Sequence, residues 1–270
     1  MVVPAGATPA PLLRVTDLSK VFVRGRQRTE ALKGLDLDVR EGEFLTLLGP
    51  SGCGKSTLLH LLGGFETPTA GRIVLDGRPV RGPGRDRGMV FQDSTLFPWW
   101  TVARNVGWPV VVGGGSRSAV RSRVDELLGL VGLADVADAY PAELSGGMRQ
   151  RACIARTLAL EPRVLLMDEP FGSLDAQTRE VLQEELGHIC EVAGTTVVFV
   201  THDIHEAVFL GDRAAVMSAR PGRLTEVVEI GLGRPRPPDT RKSPELLGYH
   251  NRLWDRLRAE AGRPQPQPSG

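Results

Sequence analysis

The stretch GPSGCGKST at residues 49–57 fits the pattern G-x-x-x-x-G-K-[ST] at Gly49, Gly54, Lys55 and Ser56. Glycines at 49, 52 and 54 let backbone N–H groups converge on phosphate oxygens, and Pro50, Ser51, Cys53 and Thr57 complete the candidate loop. Lys55 can reach the β and γ phosphates of a nucleotide, and the Ser56 hydroxyl can ligate Mg²⁺. Only four lysines stand beside twenty-nine arginines, so Lys55 occupies a place where a compact ammonium suits a crowded pocket.

Three further segments supply groups of complementary chemistry. VLLMDEP ends an apolar run in Asp168 and Glu169, the first suited to Mg²⁺ through its water shell, the second to orienting or deprotonating an attacking water. VVFVTHD sets His202 two positions past another apolar run, and Gln92 comes just past GMVF, a similar case. His202 is a candidate contact for the γ-phosphate or the water, and Gln92 a candidate sensor of Mg²⁺ or the γ-phosphate. LSGGMRQR at 144–151 reads as a second helix start able to hold an anion, through Ser145, Gly146 and Gly147. One chain thus carries two anion-binding helix N-termini.

Positioning these groups requires strands that end together. FLTLL (44–48), GMVF (88–91), VLLM (164–167) and TVVFV (196–200) are short continuous apolar runs of the kind found in a parallel sheet covered on both faces. FLTLL leads straight into the glycine loop, and STLLHLLGG then reads as a helix ending at Gly63-Gly64. LLRVTDLSKVFV and LKGLDLDVREGEF alternate at period two, and GRIVLDGRPV predicts a hairpin turning at Asp76-Gly77, which together predict an antiparallel β region near the N-terminus. SAVRSRVDELLGLVGL and MRQRACIARTLAL carry three- and four-residue apolar spacing, a helical insertion in the α/β core.

The 270 residues are 41% apolar, enough for a substantial core, and 33 basic against 32 acidic residues give no global attraction to nucleic acid or anionic membrane. Cys53, Cys153 and Cys190 fit neither a disulfide framework nor a zinc site, and a reducing cytoplasm is the expected compartment. No run reaches the ~18 apolar residues of a spanning helix, and the N-terminal sequence lacks signal-peptide features, so the chain is expected neither to be exported nor to cross a membrane.

With these residues in hand, the chain resembles the ATP-binding subunits of ABC transporters over residues 12–225. The resemblance rests on the phosphate loop, Gln92 in VFQDSTLFPW, the signature LSGGMRQR, LLMDEP, the SLDA stretch with Asp175, and His202. Met148 departs from the usual Gln of the signature, and Phe22 stands where an aromatic residue stacks on adenine. The resemblance implies a nucleotide-hydrolysing α/β core with a mainly parallel sheet, an N-terminal antiparallel β region and a helical subdomain at about 93–160. Outside residues 12–225, residues 1–11 are Pro/Ala/Gly-rich and the end RPQPQPSG is poor in core-forming residues, so both are expected to be flexible, and 226–270 reads as an extension with a possible amphipathic helix in ELLGYHNRLWDRLRAE and a disordered end. The resemblance further implies ATP and Mg²⁺ as ligands, and head-to-tail pairing with a second subunit so that Ser145, Gly146 and Gly147 serve the partner's ATP. Transmembrane permease subunits and an extracytoplasmic solute-binding protein are the expected partners, at the cytoplasmic face of the membrane, with no nucleic acid. LFPWWTVARNV and VMSARPGRL look most like importers of nitrate, sulfonate and taurine. The alternative is a soluble ATPase of the same family acting on nucleic acid or ribosomes. Trp99 and Trp100 stay open between core and permease interface.

Overall fold

The computed structural model describes residues 10–172 and 174–261, so the N-terminal and C-terminal ends expected to be flexible lie, but for residues 10 and 11, outside the described residues. Two sheets organise the chain. The smaller is antiparallel, ordered β2-β1-β4-β5 from β1 (Leu13–Arg24), β2 (Gln27–Val39), β4 (Ala70–Leu75) and β5 (Arg78–Pro79). Its tight turn is the expected one: Asp76 and Gly77 both sit at positive φ, 48° and 72°, the geometry of a two-residue hairpin turn matched to strand twist.

The alternation along β1 is broken, however. Register shifts fall between Val15 and Leu18 and between Leu18 and Lys20, with Asp17 at φ 46° and its N–H donating to Asp36 Oδ1 at 2.9 Å. The strand bulges here so that Leu13, Val15 and Leu18 all bury on the same core. β2 also starts at Gln27, five residues before the apolar pattern, because its polar first turn pairs with the end of β1 instead of facing the core.

The larger sheet runs β10-β9-β3-β8-β7-β6. β3 (Phe44–Leu48), β6 (Arg87–Val90), β7 (Val164–Asp168), β8 (Thr196–Val200) and β9 (Arg213–Met217) are parallel, while β10 (Leu224–Glu229) closes the edge antiparallel. Each continuous apolar run serves two cores. Val164, Leu166, Val198 and Val200 face α1 (Lys55–Gly63) and the small sheet, whereas Leu165, Met167, Val197 and Phe199 face the other helices. Every side chain so placed contributes about 1.5–3 kcal/mol of transfer free energy, which is why no polar alternation survives in these strands.

The helices on the second face are α2 (Val102–Val112), α3 (Arg117–Leu130), α4 (Gly146–Leu158), α5 (Ala176–Val192), α6 (Ile204–Leu210) and α7 (Pro244–Ala261). Thr101, Ser116, Ser145, Asp175 and Asp203 cap five of them through side-chain acceptors, the expected chemistry for exposed helix starts. β10 runs across the boundary drawn at 225/226, and α7 buries Leu246 and Leu253 completely in the same core as α6. Structurally the chain beyond residue 225 is therefore continuous with the α/β layer.

Candidate functional site

Four neighbouring parallel strands, β3, β8, β7 and β6, end at one edge, and each delivers candidate residues there. β3 leads into the 49–57 loop, β8 into His202, β7 into Asp168 and Glu169, and β6 into Gln92. In open α/β sheets this carboxyl edge is where ligands bind.

The loop is held by close packing. Gly54, the residue before α1, has φ 105°, and a Cβ there would stand 2.8 Å from Leu32 Cδ2 and 3.0 Å from the Ala31 carbonyl oxygen. Any other residue would prise the loop from β2. Lys55 is buried, its Nζ donating to the carbonyls of Gly49 at 2.7 Å and Pro50 at 3.2 Å, so the ammonium is poised inside the ring of the loop. Cys53 is buried beneath, its thiol pushed up by desolvation against the opposing pull of Lys55. An inert, protonated thiol in that place acts as packing.

Ser56 Oγ donates to Asp168 Oδ1 at 3.0 Å, which ties the first turn of α1 to the end of β7. Burial raises the Asp168 carboxyl above its ordinary range, with the Ser56 bond opposing the shift. A hydroxyl and a carboxylate oxygen held together are the donor set of a hard divalent cation, so Mg²⁺ fits these residues. Glu169 sits at φ 44°, its N–H donating to the Val200 carbonyl at 3.1 Å, and its Oε2 lies 2.9 Å from His202 Nδ1. The backbone thus turns Glu169 away from the strand and against the imidazole, at the partly exposed mouth of the site. Exposed Gln92 approaches from β6: a Cβ on Gly172 would stand 3.2 Å from its Nε2.

Phe22 lines a cavity of about 430 Å³ with Arg24, Gln27, Thr29 and Arg220. Arg220 Nη2 comes within 3.9 Å of where a Cβ on Gly52 would be, so this cavity adjoins the phosphate loop. The β9–β10 connection reaches so close because it contains Gly222, whose Cβ would meet the Cys53 carbonyl at 2.0 Å. The sequence reading missed this support, and the Pro221-Gly222 pair was its visible signal.

Ser145, Gly146 and Gly147 form a separate group. Ser145 Oγ accepts from Met148 N at 3.2 Å and is exposed, while Gly146 and Gly147 lie against Leu174, Thr178 and Leu182 at the start of α5. Asp175 caps that same helix start by accepting from Thr178 N at 3.0 Å, and this bond holds its carboxyl below the ordinary range. The second anion-type helix terminus is therefore packed on α5 beside Asp175, not on Lys55. Ser173 lies outside the described residues.

In the insertion, Trp99 is exposed, 66%, and tilted on Phe97 at 5.7 Å between centroids. Trp100 is half-buried, between Phe97 at 4.7 Å and Trp108 at 4.8 Å, with the Arg104 guanidinium 4.6 Å above it. Asn105, fully buried, ties the turn by donating to the carbonyls of Phe97, Trp100 and Thr101 and accepting from Phe97 N. The result is an aromatic platform tied down by Asn105, with Trp99 its most exposed indole and Trp108 exposed beside it.

Among the described residues no helix is long and apolar enough to cross a membrane, and all three cysteines are free and buried. Residues 32–172 match the ABC transporter family. The chain is 49% identical over 248 residues to an uncharacterized ABC transporter ATP-binding protein of Methanocaldococcus jannaschii, covering 92% of each chain. It is 46% identical over 252 residues to a nitrate import ATP-binding protein of Synechocystis sp., covering 91% of this chain and 95% of that one. Among solved structures it resembles a dimeric ATP-binding cassette in a post-hydrolysis state bound to ADP and Pi, at 34% identity and TM-score 0.71, over 82% of this chain and 100% of that one.

Proposed function

This chain belongs to the ABC transporter family as an ATP-hydrolysing cassette, and we propose that it powers a membrane importer of a small solute of the nitrate, sulfonate or taurine kind. The carrying observation is the convergence of Lys55, Ser56, Asp168, Glu169 and His202 at the ends of three adjacent strands, β3, β8 and β7, with a second helix N-terminus aimed elsewhere.

In this reading the 49–57 loop and the start of α1 hold the phosphates, with Lys55 moving its ammonium from loop carbonyls to the β and γ oxygens. Phe22 supports adenine in the cavity beside the loop. Ser56 and Asp168, aided by Gln92, would hold Mg²⁺, which when bound would neutralise developing phosphate charge. Glu169 accepts a proton from water, and His202, bonded to it, keeps that carboxylate oriented and contacts the γ-phosphate. Ser145, Gly146 and Gly147 act on the ATP of a second copy, for which a solved relative is dimeric, and Asp175 at the foot of α5 lies at that junction. The γ-phosphate then tethers two copies, and its loss releases them.

The outward indole of Trp99 and the platform beneath it offer the permease a docking surface a few residues from Gln92. Reconstitution with the permease and an extracytoplasmic solute-binding protein in vesicles tests the reading. ATP-dependent accumulation of nitrate, a sulfonate or taurine is expected. Co-purification with nucleic acid or ribosomes and no membrane partner would overturn it in favour of the soluble alternative.

A further inference from the structure

The segment between β10 and α7 grips the C-terminal end of α6 directly and reaches its start through Gln183 of α5, and α6 begins two residues after His202. At the far end, Arg236 Nη1 donates to the carbonyls of Val208, Phe209 and Gly211 at 2.8–2.9 Å, satisfying acceptors that the helix terminus leaves open. Burial lowers this guanidinium to about 10, so it is still charged at neutral pH.

At the near end a chain of side chains leads to the His202 turn. Thr201 Oγ1 accepts from Asp203 N at 2.9 Å, spanning His202, and donates to Glu206 Oε2. Glu206 Oε1 accepts from Gln183 Nε2 at 3.0 Å, and Gln183 Oε1 accepts from Arg241 Nη1 at 2.8 Å. Glu206 and Gln183 are 6% and 3% exposed, so neither can exchange these partners for water. The chain has one polarity: Arg241 has only donors, which turns the amide oxygen of Gln183 toward it and the amide nitrogen toward Glu206. Arg241 is itself fixed, by donation to the Glu180 carbonyl at 3.1 Å, an ion pair with Glu184 at 3.7 Å and stacking 3.7 Å above the Phe209 ring.

We infer that Arg241, in the turn Pro238–Lys242, is a positioning residue for His202 and acts through Gln183, Glu206 and Thr201. The inference rests on the role given to His202 above. It gives the segment beyond β10 a part in hydrolysis: removing Arg241 frees Gln183 to rotate, Glu206 loses its oriented donor, and the 201–203 turn loses its register.

The test is single-turnover hydrolysis with excess protein, in a cycle of Arg241→Ala, His202→Ala and the double variant. Arg241→Ala is expected to slow hydrolysis roughly tenfold, a typical coupling between linked sites, with MgATP affinity unchanged. Arg241→Lys should recover part of the rate, since an ammonium can donate to Gln183 but lacks the second arm of the fork. In the His202→Ala background, Arg241→Ala should cost nothing further, because residues acting as a unit are not additive. A wild-type rate in Arg241→Ala, or losses that multiply in the double variant, would overturn the inference. A wild-type rate in His202→Ala would instead remove the underlying reading of His202. If Arg241→Ala does not fold, Gln183→Met, of similar volume, cuts the same chain and must show the same pattern.

Discussion

Replacing Gly222 by Ala adds one methyl group at the point where the β9–β10 connection touches the phosphate loop. The added Cβ would lie 2.0 Å from the Cys53 carbonyl oxygen, 3.0 Å from Met217 Cε and 3.1 Å from Leu32 Cδ2. Because the nearest atom is backbone, the segment itself must lift. Two bonds hold it down, Gly222 N to the Ala31 carbonyl at 2.9 Å and Lys33 N to the Gly222 carbonyl at 3.0 Å. Their loss costs about 1–3 kcal/mol in all. Overpacking adds about 1–3 kcal/mol. The sum, about 2–6 kcal/mol, corresponds to a fall in Tm of roughly 5–20 °C for a domain of this size. MgATP affinity should fall with it, since the displaced Cys53 carbonyl belongs to the loop proposed to hold phosphate. Gly129 is the control: it is exposed in α3 with no atom within 4 Å of an added Cβ. Gly129→Ala should stabilise by about 0.5–1 kcal/mol. Thermal unfolding and calorimetric MgATP titration of both variants measure this. If Gly222→Ala matches Gly129→Ala in both, the loop is not braced as described.

Two further outcomes follow from the site. Mixing Ser145→Arg with Lys55→Ala protein should restore partial ATPase activity through one intact composite site, whereas activity in either variant alone would contradict a signature acting on the partner's ATP. Trp99→Ala should shift Tm little, being exposed, yet weaken permease capture in a pull-down by at least the roughly 30-fold of an interface anchor. Unchanged capture would return the aromatic platform to a purely structural role.

The phosphate loop, Asp168, Glu169 and His202 were legible because each follows an apolar run whose burial on both faces leaves no other place for it than the sheet edge. The signature was equally legible as a helix start, and its separation from Lys55 agrees with two distinct termini. What was not legible depends on chain segments meeting far from one another in sequence. RAAVM and LTEVVE form strands only because β9 pairs with β3 and β10 closes the edge. The bulge at Asp17 answers a close approach by Gly71, whose Cβ would sit 2.2 Å from the Asp17 carbonyl. Arg236 and Arg241 are absorbed by carbonyls and an amide more than twenty residues away, a pairing that composition cannot reveal.

The central claim is that Glu169, set against His202 at the mouth of the site, is the base for hydrolysis. Glu169→Gln keeps the side chain's shape and removes its basicity, so MgATP titration and turnover on the same preparation separate binding from chemistry. The account predicts undiminished MgATP affinity, an ATP-bound dimer on sizing, and turnover lower by about 10²–10⁴-fold. Near-normal turnover, with the protein remaining a monomer in MgATP, would contradict it.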